Sequence, residues 1–232
     1  MTGFHFNNAA WWCEEVPVNQ LADQYGTPLY IYSRAQLEAN YRRVADAFAP
    51  LHAHLHFSVK SNANGALLRL LRDLGSGFDV VSGGELFRAL HAGADPATIV
   101  FAGVGKTRAE LVYAIDQGVG WINVESAQEL DVLDEIAAAR SCRSSIALRV
   151  NPSVDADTHH HIATGGHRSK FGIDVAEARS ILHNAARYPH LDIAGLHVHI
   201  GSQLATPDGT VAAIERILPL TELHPIRVLD LG

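Results

Sequence analysis

Seven short β-rich runs separated by helical stretches constrain the fold of this chain more than any other feature. They are Leu55–Lys60, Gly77–Ser82, Thr98–Gly103, Trp121–Glu125, Ile146–Asn151, Ile193–Gly201 and Ile226–Leu231. Alternation of strand and helix predicts a parallel sheet, because each parallel neighbour is reached by a crossover long enough to hold a helix. The first five runs start about every 22 residues, a spacing that suits the compact βα units of a (β/α)8 barrel. An open doubly wound sheet is the competitor. Against it, no Gly-x-Gly-x-x-Gly opens a helix after the first run: Gly75-Ser76-Gly77 precedes a strand, and position 80 is Val80. The expected fold is an α/β, TIM-type barrel with about seven of its eight strands present. The last run breaks off at Leu229-Asp230-Leu231-Gly232, where a strand-to-loop turn should begin, so the barrel is expected to be cut rather than complete.

Residues 1–50 read as an N-terminal lead-in and residues 51–232 as the barrel. A short helix is predicted around Asn19–Tyr25, ended by Gly26-Thr27-Pro28. Ser33 is a good N-cap for a second helix, whose Leu37, Tyr41, Val44 and Phe48 recur at helical spacing. A chain that is 47% hydrophobic and 19% charged can bury a full core. With a net charge of -7 and no Lys or Arg stripe, neither nucleic acid nor an anionic membrane is an expected partner. Cys13 and Cys142 lie far apart, which predicts reduced thiols and a cytoplasmic location. The N-terminus has no basic start followed by an apolar run, and no stretch reaches the apolar length that spans a bilayer.

Polar residues end these runs: Lys60, Asp79, Glu125, Arg149 with Asn151, His199 with Ser202, and Asp230 before Gly232. Barrel enzymes assemble their sites at the carboxyl ends of strands, so this succession predicts a catalytic or binding face. Lys60 is read as closing a buried strand, where loss of hydration would disfavour its charge and make the amine a nucleophile. A lysine reaching to water from a strand end is the plain alternative.

Two motifs are set aside. Gly103-Val104-Gly105-Lys106-Thr107 has the tail of a phosphate-binding P-loop, but the required first glycine falls at Val100. Lys106 is instead expected at the start of the helix holding Glu110 and Leu111, exposed or near a phosphate. Fourteen histidines raise the question of a metal, since His52, His54 and His56, and likewise His197 and His199, alternate along one strand face. The acidic partners that a barrel hydrolase would need do not make a convincing set, and no metal is expected. His159-His160-His161 reads as a solvated loop.

A lysine amine, a histidine ring face and a phosphate-sized nest of small residues together suit pyridoxal 5'-phosphate, whose aldehyde condenses with lysine and whose ring is an electron sink. Gly201-Ser202 and Gly232 offer open backbone and a hydroxyl where barrels commonly bind phosphate. Phe57-Ser58-Val59-Lys60-Ser61-Asn62, followed by Leu67, Leu68, Leu71 and Gly75, resembles the cofactor-attachment signature of the alanine-racemase-like, fold type III pyridoxal-phosphate decarboxylases. The likeness extends along nearly the whole chain. It takes in Tyr25 to Ser33, Phe78 to Leu86, Ile122 to Ser126, Leu148 to Pro152, Thr164-Gly165, Ser169 to Ile173, His197 to Gln203, and Leu229 to Gly232. Within that family the diaminopimelate decarboxylase branch is the most similar.

The resemblance implies a role for each matching position. Lys60 is the covalent anchor of the cofactor, and His199 stacks on its ring. Ser202 and Gly232 contact the phosphate, while Asp79 and Arg149 line the ring. Lys60 and His199 are the expected catalytic residues. The implied reaction is decarboxylation of meso-2,6-diaminopimelate to L-lysine by a homodimer when full length, with the amino-acid substrate as the small-molecule partner. Ornithine-, arginine- and carboxynorspermidine-type decarboxylases of the same family are the alternatives, as is a non-catalytic pyridoxal-phosphate barrel. Ser58 replaces the family's usual alanine or proline, and His159 to Gly165 departs from His-Pro-Tyr-Ile-Ser-Thr-Gly. The family's later Glu-Pro-Gly-Arg segment and C-terminal β domain are absent from this sequence, which is expected to be the N-terminal part of the enzyme.

Overall fold

The N-terminus folds as a small antiparallel sheet that the sequence reading missed. Strand β1 (Phe4–Asn7) pairs with β2 (Ala10–Cys13), and β2 with β3 (Val16–Pro17). Asn8 and Ala9 make the tight connection, both with positive φ (47° and 58°), the conformation that matches the twist of a two-residue hairpin. The computed structural model describes residues 3–154, 171–202, 204 and 206–232. His159-His160-His161, Thr164-Gly165, Ser169-Lys170 and Gln203 lie outside the described residues.

Helix α1 (Val18–Tyr25) stops at Gly26, and helix α2 (Arg34–Phe48) is capped by Ser33, whose side chain accepts from Gln36 N. Both helices fall where their sequence signals put them. Glu14 reinforces the second cap: its Oε1 accepts from Ser33 Oγ at 2.7 Å and from Ala35 N at 2.8 Å. A carboxylate at a helix N-terminus meets unsatisfied N–H groups and the positive end of the dipole. This contact ties the hairpin to α2.

The larger sheet follows in βα alternation, interrupted among the described residues where the short strand Ile173–Asp174 follows the strand Ser144–Asn151. Its elements are β4 (His56–Ser58), α3 (Gly65–Asp73), β5 (Gly77–Val80), α4 (Gly83–His91), β6 (Ile99–Phe101), α5 (Arg108–Gln117), β7 (Trp121–Val124), α6 (Ala127–Ala139) and β8 (Ser144–Asn151). Then come β9 (Ile173–Asp174), α7 (Val175–His183), β10 (Leu191–His197), α8 (Asp208–Ile217) and β11 (Val228–Asp230). Strands β4, β5, β6, β7, β8, β10 and β11 lie side by side in that order, all parallel, as a curled half-barrel. The short β9, unread in the sequence, pairs with the end of β8 through Val150 and Asn151. Each of the seven β-rich runs thus holds one strand of the sheet.

The core lies between this sheet and its outer helices. Ile99, Val100 and Phe101 are all buried, as expected of a parallel strand covered on both faces. Helix α6 presents Leu130, Leu133, Ile136 and Ala137 on one buried stripe. Strand-to-helix turns share one device: Ser82 with Glu85, Thr107 with Glu110, and Ser126 with Glu129 place an N-cap three residues before a glutamate. In the first and third turns the glutamate reaches back past the cap, so that Glu85 accepts from Val81 N and Glu129 from Glu125 N, both at 2.9 Å. The carboxyl ends of β5 and β7 are therefore pinned to the helices that follow them.

Candidate active site

The site is built where the strands end. Strand β4 stops at Ser58, and Lys60 stands on a 3-10 turn, Val59–Ser61, exposed rather than buried. The expectation of a lysine inside a strand end is corrected here. Among the described residues β4 has a strand neighbour on one side only, β5, so little covers the residues beyond its end. Asp79, on the adjoining β5, is close enough to feel the Lys60 charge. Burial raises the Asp79 carboxyl above its ordinary range, opposed in part by the Ser58 hydroxyl, which donates to Oδ2 at 2.9 Å, and by Lys60. Ser58 thus orients Asp79.

His199 lies two residues beyond β10. Burial, with the positive charges of Arg149 and then Lys60, lowers its imidazole from 6.5 to about 4. It is neutral at neutral pH and offers an uncharged ring face. Gly232 backs that ring: with φ of 83°, a Cβ built there would fall 2.3 Å from His199 Nδ1. The Gly232 N–H donates to Asp230 Oδ1 at 3.0 Å, and Asp230 Oδ2 accepts from Asn123 Nδ2 at 2.8 Å. Burial alone would push Asp230 up, but His197, Asn123 and the Gly232 N–H outweigh it and hold the carboxyl below its ordinary value. Ser202, itself exposed, lies three residues after His199.

Arg149, near the end of β8, is buried with its guanidinium 2.6 Å from Glu125 Oε1, and it sits 5.3 Å from the centre of the Phe171 ring. Its charge acts on His199, so β7, β8 and β10 contribute to one cluster with Lys60 and Asp79. Sequence reasoning counted Glu125 among the polar strand ends without making it a site residue. Its pairing with Arg149 spans 24 positions and appears only once β7 and β8 are in register. Lys106 is also corrected: its side chain is 1% exposed, its Nζ 2.8 Å from Glu129 Oε1. Among the described residues no three His, Cys, Asp or Glu side chains converge as a metal site, and no helix is long and apolar enough to cross a membrane.

Residues 34–231 match the family described as pyridoxal-dependent decarboxylase, pyridoxal binding domain. The chain belongs to that decarboxylase family. It is 45% identical over 237 residues to the curated diaminopimelate decarboxylase of Pseudomonas aeruginosa, covering 100% of this chain and 57% of the relative. It is 45% identical over 210 residues to that of Neisseria meningitidis serogroup B, covering 90% of this chain and 51% of the relative. The chain therefore spans just over half the length of these curated relatives. The crystal structure of diaminopimelate decarboxylase from M. jannaschii in co-complex with L-lysine superposes with a TM-score of 0.90 at 32% identity, covering 100% of this chain and 58% of that one.

The residues of this pyridoxal-binding domain fit its cofactor. An exposed primary amine, a neutral imidazole face and a carboxylate held beside the amine are the groups that an aldehyde-bearing aromatic ring requires. The close approach of Gly232 to His199 leaves no room for a side chain behind the ring. Lys60 and Arg149 add positive charge toward an anionic ligand.

Proposed function

We propose that the full-length protein decarboxylates meso-2,6-diaminopimelate to L-lysine and CO2, with pyridoxal 5'-phosphate held at the carboxyl ends of β4, β5, β8, β10 and β11. The observation that carries this reading is the convergence of Lys60, Asp79, Arg149 and His199 on one face of a chain 45% identical end to end to a diaminopimelate decarboxylase. Lys60 anchors the cofactor through its exposed amine. Asp79, its carboxyl raised by burial, is placed beside that amine. His199 offers its neutral ring to the cofactor face, and Gly232 stops it from tilting away. Arg149 supplies a fixed positive charge along the ring, and Ser202 supplies a hydroxyl for the phosphate. When bound, the cofactor provides an electron sink for the pair left as CO2 departs.

In this reading residues 51–232 form the cofactor barrel behind a lead-in of residues 1–50, and a further β domain completes the enzyme. The working form is a cytoplasmic homodimer. The test is an assay of the full-length protein with pyridoxal phosphate and, separately, meso-diaminopimelate, ornithine, arginine and carboxynorspermidine. Release of CO2 with L-lysine from diaminopimelate, abolished in Lys60→Ala, is the expected result. Turnover of another amino acid while diaminopimelate is untouched would overturn the assignment of substrate. No turnover of any of them by a protein that still shows a Lys60-dependent cofactor absorbance would leave a binding barrel rather than an enzyme.

A further inference from the structure

Four charged side chains from three successive βα units form a buried row behind the site. Lys106, in the loop after β6, is 1% exposed, and its Nζ donates to Gly103 O at 2.5 Å. The same Nζ lies 2.8 Å from Glu129 Oε1 as an ion pair. The other oxygen of Glu129 accepts from Glu125 N at 2.9 Å, which holds the backbone at the end of β7. The Glu125 carboxylate is then shared: Oε1 meets the Arg149 guanidinium at 2.6 Å, and Oε2 accepts from Gly172 N at 3.1 Å. Exposures of 11% and 7% for the Arg149 and Glu125 side chains leave the pair almost dry.

Phe171 and Gly172 close over the same pair. The Phe171 ring covers the guanidinium, a cation–π contact that strengthens when water is excluded. Gly172, with φ of 81°, brings its backbone so near that a Cβ would lie 2.9 Å from Arg149 O. A guanidinium bonded through one nitrogen to a carboxylate, capped by an aromatic ring and backed by a glycine has one available direction.

We infer that Glu125 is the positioning residue for Arg149, with the Lys106–Glu129 pair as its support. Arg149 is aimed at the cofactor face by Glu125 rather than by a contact of its own strand. The inference rests on the proposed function, because it gives Arg149 a cofactor to be aimed at. A residue acting only through Arg149 loses its influence once Arg149 is gone, and that property separates positioning from independent support.

The test is a double-mutant cycle on pyridoxal phosphate binding to the full-length protein, read from the Lys60-dependent cofactor absorbance, with thermal unfolding of the cofactor-free protein as the control. Glu125→Gln and Arg149→Ala are each expected to weaken binding about tenfold, and the double variant to be no weaker than Arg149→Ala alone. Glu125→Asp is expected to recover part of the loss, since it keeps the charge. Effects that multiply, or Glu125→Gln binding like the parent, would overturn the inference. Should Glu125→Gln fail to fold, Phe171→Leu leaves no charge unpaired and takes its place in the cycle, with several-fold weakening that disappears in the Arg149→Ala background. Absence of any Lys60-dependent absorbance in the parent protein overturns the functional reading, an outcome distinct from a parent that binds while Glu125 variants bind equally well.

Discussion

The two halves of the face formed by the carboxyl ends of the strands are built differently. Around β7 and β8, Glu125, Arg149, Glu129 and Lys106 are buried and cross-bonded through side chains and backbone alike. Around β4, Lys60 stands exposed on a 3-10 turn at the margin of the sheet, held by local hydrogen bonds of Ser61 to Ser58 O and of Asn62 N to Val59 O, with the Ser58 hydroxyl on Asp79. The difference is instructive for covalent cofactor chemistry. Groups that tune a ring gain from rigidity, since a preorganised charge needs no rearrangement during reaction. An amine that must first bond the cofactor and later release it to a substrate needs room to move.

Substitutions should separate the halves by the kind of loss they cause. The largest expected effect is functional: Lys60→Ala abolishes the pyridoxal phosphate absorbance of the full-length protein while its stability stays within about 0.5 kcal/mol, as for other exposed positions. Equal loss of cofactor and of fold, measured by urea unfolding, would erase the contrast. Next comes Glu129→Gln, which leaves the buried Lys106 ammonium without its countercharge. Breaking a buried pair from one side costs about 3–5 kcal/mol, and the urea midpoint should fall accordingly. A shift no larger than that of an exposed substitution would show the row to be better hydrated than its burial suggests.

The pH dependence of stability is expected to follow the buried histidines at the end of β10. Burial lowers both His197 and His199, the latter from 6.5 to about 4, while Asp230 pulls the other way on each. The unfolded chain therefore binds more protons than the folded one between those values, so stability rises with pH across that window and is lost as pH falls from about 6.5 toward about 4. Melting temperature against pH checks this, and His199→Gln should flatten the slope. The smallest effect belongs to Ser58→Ala. Loss of its hydrogen bond costs about 1 kcal/mol, and because that bond lowers the Asp79 pKa, the carboxyl should stay protonated to higher pH in a carbon-detected NMR titration.

Much of the scaffold was legible from the chain itself. Strands covered on both faces must be apolar throughout, so Ile99-Val100-Phe101 and Ile146 to Val150 announce themselves, and their even spacing gives the parallel order. Serine and threonine caps three residues before glutamate mark the helix starts with similar clarity. The N-terminal hairpin escaped because its turn is Asn8-Ala9, without the glycine that usually signals two positive φ values. The places of Lys60, Asp79, Arg149 and His199 at or just past strand ends could be read from the runs. Their arrangement could not, because the pairings of Ser58 with Asp79 and Glu125 with Arg149 depend on register between neighbouring strands. Lys60 stands exposed, as its plain alternative had it, and Lys106 is covered where exposure was one of two expectations. Whether a charge is covered depends on what packs above it, and adjacent residues carry little of that information.

Gly232 has a consequence of another kind. The space behind the His199 imidazole is filled by a neighbouring strand's main chain, at a spot where even a methyl group would collide. The ring is thus approached closely from across the strand boundary, at a position that has no Cβ. Position 232 is in effect a thickness gauge for the slot in front of His199. Adding one carbon there would thin the slot from behind while leaving the amine, the carboxylate and the guanidinium of the site chemically untouched.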